Sequence, residues 1–181
     1  MEVVWDVENK VTYDDEYNDK GKKTTRIDPL PFNPKNYLVS VGAAVRGYAS
    51  GWRSHYWFLE HNDIPVENLD LLVIRDEIQA LLDATTVFIA HNAKYDLQWL
   101  WAAGFKYDGK VYDTMLGEYV WARGQKIFSL SLAESAKRRN LSEKRTDLTE
   151  EYWSNGIGFE AMPLDIVEPY GSHDRDWETI F

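Results

Sequence analysis

Two carboxylates stand two positions apart near the start of the chain, Asp6 and Glu8, at the end of the apolar segment Met1 to Val7. Side chains alternate between the two faces of a β-strand, so both carboxylates should project from one face, roughly 7 Å apart. On a strand this apolar, the two negative charges repel each other and lose hydration. A bound multivalent cation would relieve both costs, and so would a solvated strand end. The Asp6–Glu8 pair alone does not distinguish a cation site from a solvated strand end.

A third carboxylate, Asp96, follows the run Thr85 to Ala90, whose β-branched and aromatic residues are typical of a buried strand. Asn92 is a suitable N-cap for a helix after this strand, and residues four apart share one helix face. Asp96 would then lie at the carboxyl end of a strand, where open α/β sheets bind ligands. If that strand lies beside the first, Asp96 faces the Asp6–Glu8 pair. An exposed aspartate in the first helical turn would give the same pattern.

A fourth carboxylate, Asp174, stands four positions after Tyr170 near the end of the sequence. The two residues share a face if the segment is helical. Pro169 does not allow a smooth helix through this point, so the helix is expected either to start here or to kink. Taken by itself, Tyr170 is better explained as a half-buried core tyrosine.

The elements that must position these residues follow from periodicity and cap residues. Strands are predicted at residues 2–8, 37–46, 52–59 and 85–90, with another ending at Val111 and Tyr112, and helices at residues 68–83, 92–104, 113–123 and 129–139. Strands followed by alternating helix and strand predict an α/β fold with a sheet of about five strands flanked by helices. We expect residues 1–181 to form a single domain.

Two segments lie outside this regular pattern. Residues 9–36 are rich in polar residues and are expected to form a loop or hairpin excursion. Residues 140–163 are charged and are expected to be irregular. Among the eight tryptophans, most of which should lie in the core, Trp153 falls in this irregular segment together with Phe159, so these two rings are candidates for stacking against nucleic-acid bases.

Composition limits the possible classes of function. The chain has 181 residues and no cysteine, which excludes disulfides and thiolate metal sites, and its four histidines lack zinc-type spacing. A net charge of −10 is unlike the basic footprint of most nucleic-acid binders but suits carboxylates gathered around divalent cations. The apolar runs are too short to span a bilayer and no signal peptide is visible, so we expect a cytoplasmic protein without membrane contact.

Taken together, the three patterns resemble the exonuclease motifs of the DEDD superfamily: D-x-E at Asp6, N-x3-D ending at Asp96 and Y-x3-D ending at Asp174. The tyrosine four positions before the last aspartate marks the tyrosine branch. The resemblance continues through HNAKYDLQWL, VYDTMLGEYV, LSLAESA and the stretch from EYWSNG to Tyr170. Over nearly its whole length the chain is similar to the proofreading exonuclease domain of phage-type family A (Pol I-like) DNA polymerases.

This resemblance implies a ribonuclease H-like fold with a mixed sheet, and a 3′–5′ exonuclease that releases nucleoside 5′-monophosphates from single-stranded DNA 3′ ends. Two Mg²⁺ or Mn²⁺ ions would supply the nucleophile and relieve charge on the leaving oxygen, as all-oxygen ligands suggest. The resemblance assigns a shared position between the two ions to Asp6. It assigns one ion to Glu8 and Asp174 and the other to Asp96.

The resemblance also assigns roles to residues that do not bind the ions. Tyr170 would orient the attacking water, and Asn92 would fix its helix or contact the substrate backbone. Asp113 is expected to be a helix cap and not a ligand. The expected partners are a DNA polymerase domain or replication proteins, in the host cytoplasm if a phage encodes the chain, and the exonuclease itself should be a monomer.

Three other functions compete with this one. A ribonuclease D-like exoribonuclease shares the chemistry, and only contacts to the 2′-hydroxyl would separate it from a DNA enzyme. A non-catalytic docking domain could keep the same fold, although the intact set of acids speaks against it. A two-carboxylate glycosidase would leave two acids and Tyr170 unexplained.

Overall fold

The computed structural model describes residues 1–17, 23–47, 51–123, 125, 129–141 and 146–172, without the side chains of 14–17, 23–26, 47, 66, 171 and 172. The strands of this part are β1 (Glu2–Lys10), β2 (Thr12–Tyr17), β3 (Lys23–Asp28), β4 (Tyr37–Gly47), β5 (Gly51–Phe58), β6 (Val87–Ala90) and β7 (Lys110–Asp113). Its helices are α1 (Leu71–Ala84), α2 (Ala93–Ala102), α3 (Thr114–Trp121), α4 (Leu132–Arg138), α5 (Glu150–Ser154) and α6 (Leu164–Ser172). Among these elements, no helix is long and apolar enough to cross a membrane.

Five strands form one mixed sheet in the order β5-β4-β1-β6-β7, while β2 and β3 pair separately as an antiparallel hairpin. In the large sheet β4 runs antiparallel to β1 and β5, and β6 runs parallel to β1 and β7. The central strand β1 is therefore hydrogen-bonded on both sides. This strand order confirms the predicted fold class, a ribonuclease H-like α/β fold with a five-stranded mixed sheet.

Apolar side chains pack on both faces of the sheet. One face carries Val3, Trp5 and Val7 of β1, which cluster with residues of α1 and α2, and Trp5 stacks on Phe88 of β6 with ring centroids 5.7 Å apart. The other face carries Val4, which packs near Leu132 at the start of α4. Helix α6 contacts β1, β4 and β5. The sheet is thus covered on both sides, which buries the apolar side chains of β1.

Two helices start later than the sequence pattern predicts because a second polar residue provides the cap. Helix α1 begins after Asp70, whose carboxylate accepts a hydrogen bond from Val73 N at 3.2 Å, and not at residue 68. Helix α4 begins after Ser131, whose hydroxyl accepts from Glu134 N at 3.4 Å. The predicted cap Ser129 instead accepts a hydrogen bond from Ser131 N at 3.3 Å.

The C-terminal third is more helical than expected. The predicted irregular segment contains α5 and two 3₁₀ turns, Thr146–Leu148 and Phe159–Ala161. The last helix begins at Leu164 and not at Pro169, which lies inside it. A proline in a helix removes one backbone hydrogen bond. The buried side chains of Val167 and Tyr170 supply apolar packing that offsets this loss.

Candidate active site

The Asp6–Glu8 pair lies on the central strand, on the same side of the regular β1–β4 ladder as Val4. Across this ladder Asp6 is opposite Gly42, and Glu8 is opposite Ser40. Glu8 is only 7% exposed and Asp6 is half-buried. The structure therefore rules out a fully solvated strand end for Glu8.

The ladder changes register immediately after this pair. A β-bulge lies between Glu8 and Asn9, because Glu8 is opposite Ser40 whereas Asn9 is opposite Leu38. The extra residue is Val39 of β4, which is fully buried. Bulges increase the local twist and redirect a strand, and they are common beside active sites. The bulge therefore ends the regular part of β1 directly after its second carboxylate.

Asp96 is held at the start of α2 by a turn that follows β6. Asn92 occupies the N-cap position in a left-handed conformation with φ 66°, which asparagine tolerates better than most residues, and its side chain makes no cap hydrogen bond. Its backbone N–H donates to Asp113 at 3.1 Å. Asp96 is 5% exposed. The alternative of an exposed helix aspartate is therefore wrong.

Asp113 acts as a helix cap, as the sequence predicts. Its carboxylate accepts hydrogen bonds from the backbone N–H groups of Met115 and Leu116 at 2.9 and 3.3 Å, in addition to that of Asn92. One side chain thus ties the beginning of α3 to the turn before α2. Asp113 therefore positions the helix that carries Asp96.

Tyr95 lies between the two acidic elements. Its hydroxyl donates to Asn9 Oδ1 at 3.2 Å, which joins α2 to the end of β1. Burial raises the pKa of Tyr95, and the negative charges of Asp96 and Glu8 raise it as well. The side-chain hydrogen bonds of Tyr95 lower the pKa, but the net shift is upward. Both carboxylates therefore lie within electrostatic range of one hydroxyl, which keeps its proton at neutral pH. Sequence reasoning missed Tyr95, although it stands next to Asp96 in the second motif.

Tyr170 lies in α6 with its ring buried in an aromatic cluster. The ring centroids of Phe159 and Trp153 are 5.4 and 5.9 Å from that of Tyr170, and 5.6 Å from each other. The structure thus brings together the predicted water-orienting tyrosine and both predicted base-stacking residues. Trp153 remains 40% exposed and can present an edge or face to a ligand. Asp174 lies outside the described residues.

His91 was also not predicted as a site residue from the sequence, although it directly precedes the second motif. Its Nε2 lies 2.8 Å from the carbonyl of Leu130, and its Nδ1 lies 2.8 Å from the hydroxyl of Thr114. A carbonyl can only accept, so Nε2 carries the proton and a neutral ring accepts from Thr114 through Nδ1. Burial lowers the pKa of His91. The hydrogen bond to Leu130 and nearby negative charges, including that of Asp6, raise the pKa, but the net shift is downward. The neutral ring therefore connects the end of β6 to α3 and to the segment before α4.

The predicted acidic residues have the right ligand chemistry for hard divalent cations. Carboxylate oxygens are preferred ligands of Mg²⁺ and Mn²⁺, and a cation would offset the cost of burying Glu8 and Asp96. Within the ranges that the structure describes, no three His, Asp or Glu side chains are placed to hold a metal ion. The complete predicted ligand set includes Asp174, which lies outside those ranges.

The fold and these residues define a ribonuclease H-like chain with two acids on its central strand and a third on the helix that follows β6. In sequence the chain is similar to a DNA polymerase of Bacillus phage SP01, with 27% identity over 159 residues. This match covers 86% of the chain but only 17% of the polymerase. The predicted resemblance to a phage-type DNA polymerase is confirmed at this level.

No model of a known protein family matches the chain. The solved structure of Exonuclease X in complex with 5′ overhanging duplex DNA superposes with a TM-score of 0.45 and 14% sequence identity, over 78% of this chain and 75% of that chain. The fold assignment follows from the strand order and the pairing directions of the sheet.

Proposed function

We propose that the chain is a metal-dependent 3′–5′ exonuclease that hydrolyses single-stranded DNA from its 3′ end to nucleoside 5′-monophosphates, and that it proofreads the product of a DNA polymerase. One observation carries the proposal. The Asp6–Glu8 pair occupies the central strand of a ribonuclease H-like sheet, in a chain of which 86% is similar to a DNA polymerase.

Four acids would hold two Mg²⁺ or Mn²⁺ ions. Asp6 would be shared between the ions, Glu8 and Asp174 would complete one site, and Asp96 would support the other. When bound, the ions would make water nucleophilic at neutral pH and neutralise charge on the leaving 3′-oxygen.

The remaining steps fall to neighbouring side chains. The Tyr170 hydroxyl would orient the attacking water, with Phe159 and Trp153 fixing its ring from two sides. Gly42 lies opposite Asp6 on β4 and contributes no side chain there. Attack of water on phosphorus breaks the bond to the 3′-oxygen, and the nucleotide leaves with its 5′-phosphate.

DNA is favoured over RNA because the relative is a DNA polymerase. The same similarity favours a polymerase domain or other replication proteins as partners. We propose a monomeric exonuclease, because one chain carries all four acids. If a phage encodes the chain, the exonuclease would work in the host cytoplasm.

The direct test uses a 5′-labelled single-stranded DNA oligomer and its RNA counterpart, each incubated with Mg²⁺ or Mn²⁺. We expect stepwise shortening of the DNA from its 3′ end, release of nucleoside 5′-monophosphates, and loss of both with a chelator or in Asp6→Asn. Asp76→Asn, an exposed acid on α1, is the matched control and should retain full activity.

Several outcomes would contradict the proposal. Preference for RNA would favour the ribonuclease D-like alternative, and internal cuts would indicate an endonuclease. A wild-type protein that leaves every oligomer intact would favour a docking domain.

A further inference from the structure

A cleft of about 780 Å³ begins where the carboxylate-bearing part of β1 ends. Asn9 and Lys10, which follow Glu8 directly, line it together with Tyr95. Trp153 and Phe159, which contact Tyr170, line it from the C-terminal part of the chain. The cleft therefore adjoins residues of the candidate active site at two separate places.

The hairpin of β2 and β3 provides another side of this cleft through Tyr13 and Ile27. These two residues are directly opposite each other across the hairpin, and their side chains are 55% and 53% exposed. A two-stranded hairpin is marginally stable by itself, and this exposed apolar pair is accessible to a ligand in the cleft. Exposed Trp153 lines the same cleft. The cleft thus offers several apolar surfaces on which bases can stack.

Positive charge accompanies these apolar surfaces. Lys10 and Lys35 both line the cleft, and Lys10 Nζ lies 5.2 Å from the ring centroid of Tyr37. One carboxylate, Glu160, lines it as well. In a chain of net charge −10, the two lysines give this cleft local positive charge that can pair with a phosphate backbone.

The base of the hairpin is held in place by Asn36, which is 7% exposed. Its side-chain amide donates to the carbonyls of Asp28 and Leu30 at 2.8 and 2.9 Å. Its oxygen accepts from the hydroxyl of Thr12 at 2.6 Å. These bonds join both strands of the hairpin to the residue that precedes β4. The hairpin therefore has a fixed base before any ligand binds, which lowers the entropic cost of binding.

We propose that this cleft holds the DNA strand on the 5′ side of the nucleotide being removed, with Tyr13 and Ile27 as the contacts from the hairpin. The inference depends on the proposed function and extends it by assigning a substrate-binding role to the polar excursion. A strand that reaches the hairpin gains stacking contacts that a very short substrate cannot make. Substrate length should therefore determine how much the hairpin contributes.

The test compares wild type with Tyr13→Ala combined with Ile27→Ala, using a dinucleotide and a thymidine oligomer of about 12 nucleotides. For the oligomer we expect KM to rise about tenfold with kcat within about twofold of wild type, because upstream stacking is lost away from the reacting bond. For the dinucleotide neither parameter should change. Phe32→Ala is the matched control, since Phe32 belongs to the same excursion and is 71% exposed, but does not line the cleft.

A second variant tests the charge. Lys35→Ala should weaken binding of the labelled oligomer at low salt, and this difference should shrink as salt is added. Fluorescence anisotropy in the presence of a chelator measures this binding without turnover.

The outcomes separate the two proposals. If wild type cleaves nothing but binds the oligomer, and the double variant binds it more weakly, the cleft assignment stands and the proposed function fails. If wild type cleaves DNA while the double variant is unchanged, or is impaired equally on both substrates, the cleft assignment is overturned. A wild-type protein that neither binds nor cleaves the oligomer overturns both.

Discussion

Glu8 lies opposite Ser40 at the last regular pair of the β1–β4 ladder before the bulge. Ser40 is fully buried, and its hydroxyl lies 2.6 Å from that of Tyr56 on β5. The bulge thus divides β1 into a part that carries the acids and a part, Asn9 and Lys10, that lines the cleft. The candidate catalytic residues of β1 therefore lie directly beside residues that line the candidate binding site.

Glu8→Gln should abolish activity without weakening the fold. We expect kcat to fall about a thousandfold, because metal-ion catalysis contributes several kcal/mol. In a chelator the variant should unfold at the same temperature as wild type or higher, since a buried charge has been removed. Mg²⁺ should stabilise wild type and not the variant, as measured by thermal unfolding with and without the ion. Glu134→Gln changes an exposed acid on α4 and is the control, so Mg²⁺ should stabilise this variant as much as wild type. If Mg²⁺ stabilises Glu8→Gln as much as wild type, the assignment of Glu8 as a metal ligand is contradicted.

Two substitutions at Tyr170 should separate its chemistry from its packing. Tyr170→Phe keeps the ring that contacts Trp153 and Phe159, so stability should stay close to wild type while kcat falls about a hundredfold because the water is misplaced. Tyr170→Ala should lower both kcat and stability, the latter by about 3 kcal/mol, since it leaves a cavity. Denaturant unfolding and steady-state kinetics measure the two effects. If kcat of Tyr170→Phe is unchanged, the tyrosine hydroxyl does not orient the water and Tyr170 has only a structural role.

Removing Glu118 should destabilise the contact between α3 and α4. Glu118 is 4% exposed and pairs with Arg138 at 2.9 Å and with Arg139. Glu118→Ala leaves both partly buried guanidinium groups without this carboxylate, which should cost about 3 kcal/mol, less than a fully buried pair because the arginines keep some solvent contact. Denaturant unfolding measures the loss. Glu134→Ala on the exposed side of α4 should change stability by less than about 0.5 kcal/mol, and a similar effect at both positions would contradict this account.

Acidification should weaken the fold through His91. Because burial lowers its pKa below the ordinary 6.5, folded His91 stays neutral while the unfolded chain binds a proton as the pH falls through 6.5. The contribution of His91 to stability is therefore complete above pH 6.5 and is lost as the pH falls toward the lower folded value. Wild type should lose more unfolding free energy between about pH 7.5 and 5.5 than His91→Gln, which does not titrate. Exposed His55→Gln is the control and should behave like wild type.

Cap chemistry was predictable where one candidate stood at a helix start and ambiguous where two stood close together. Asp113 caps α3 as expected. At α4, Ser129 and Ser131 are both good cap residues, and the packing of Leu132 beside Val4 and Ile89 favours a start after Ser131. Helix propensity and cap preference depend on the local sequence alone and do not include this tertiary packing.

The sequence by itself determined what depends on backbone periodicity within a few residues: the shared face of Asp6 and Glu8, the strand before Asn92, and the α/β class. The tertiary structure alone decided the burial of Glu8 and Asp96, the contact of Trp153 with Phe159 and Tyr170, and the cleft beside the hairpin. The Tyr95–Asn9 hydrogen bond, for instance, spans 86 positions. Contacts of that range depend on how whole elements pack, because desolvation and ring packing are set by neighbours that no local pattern specifies.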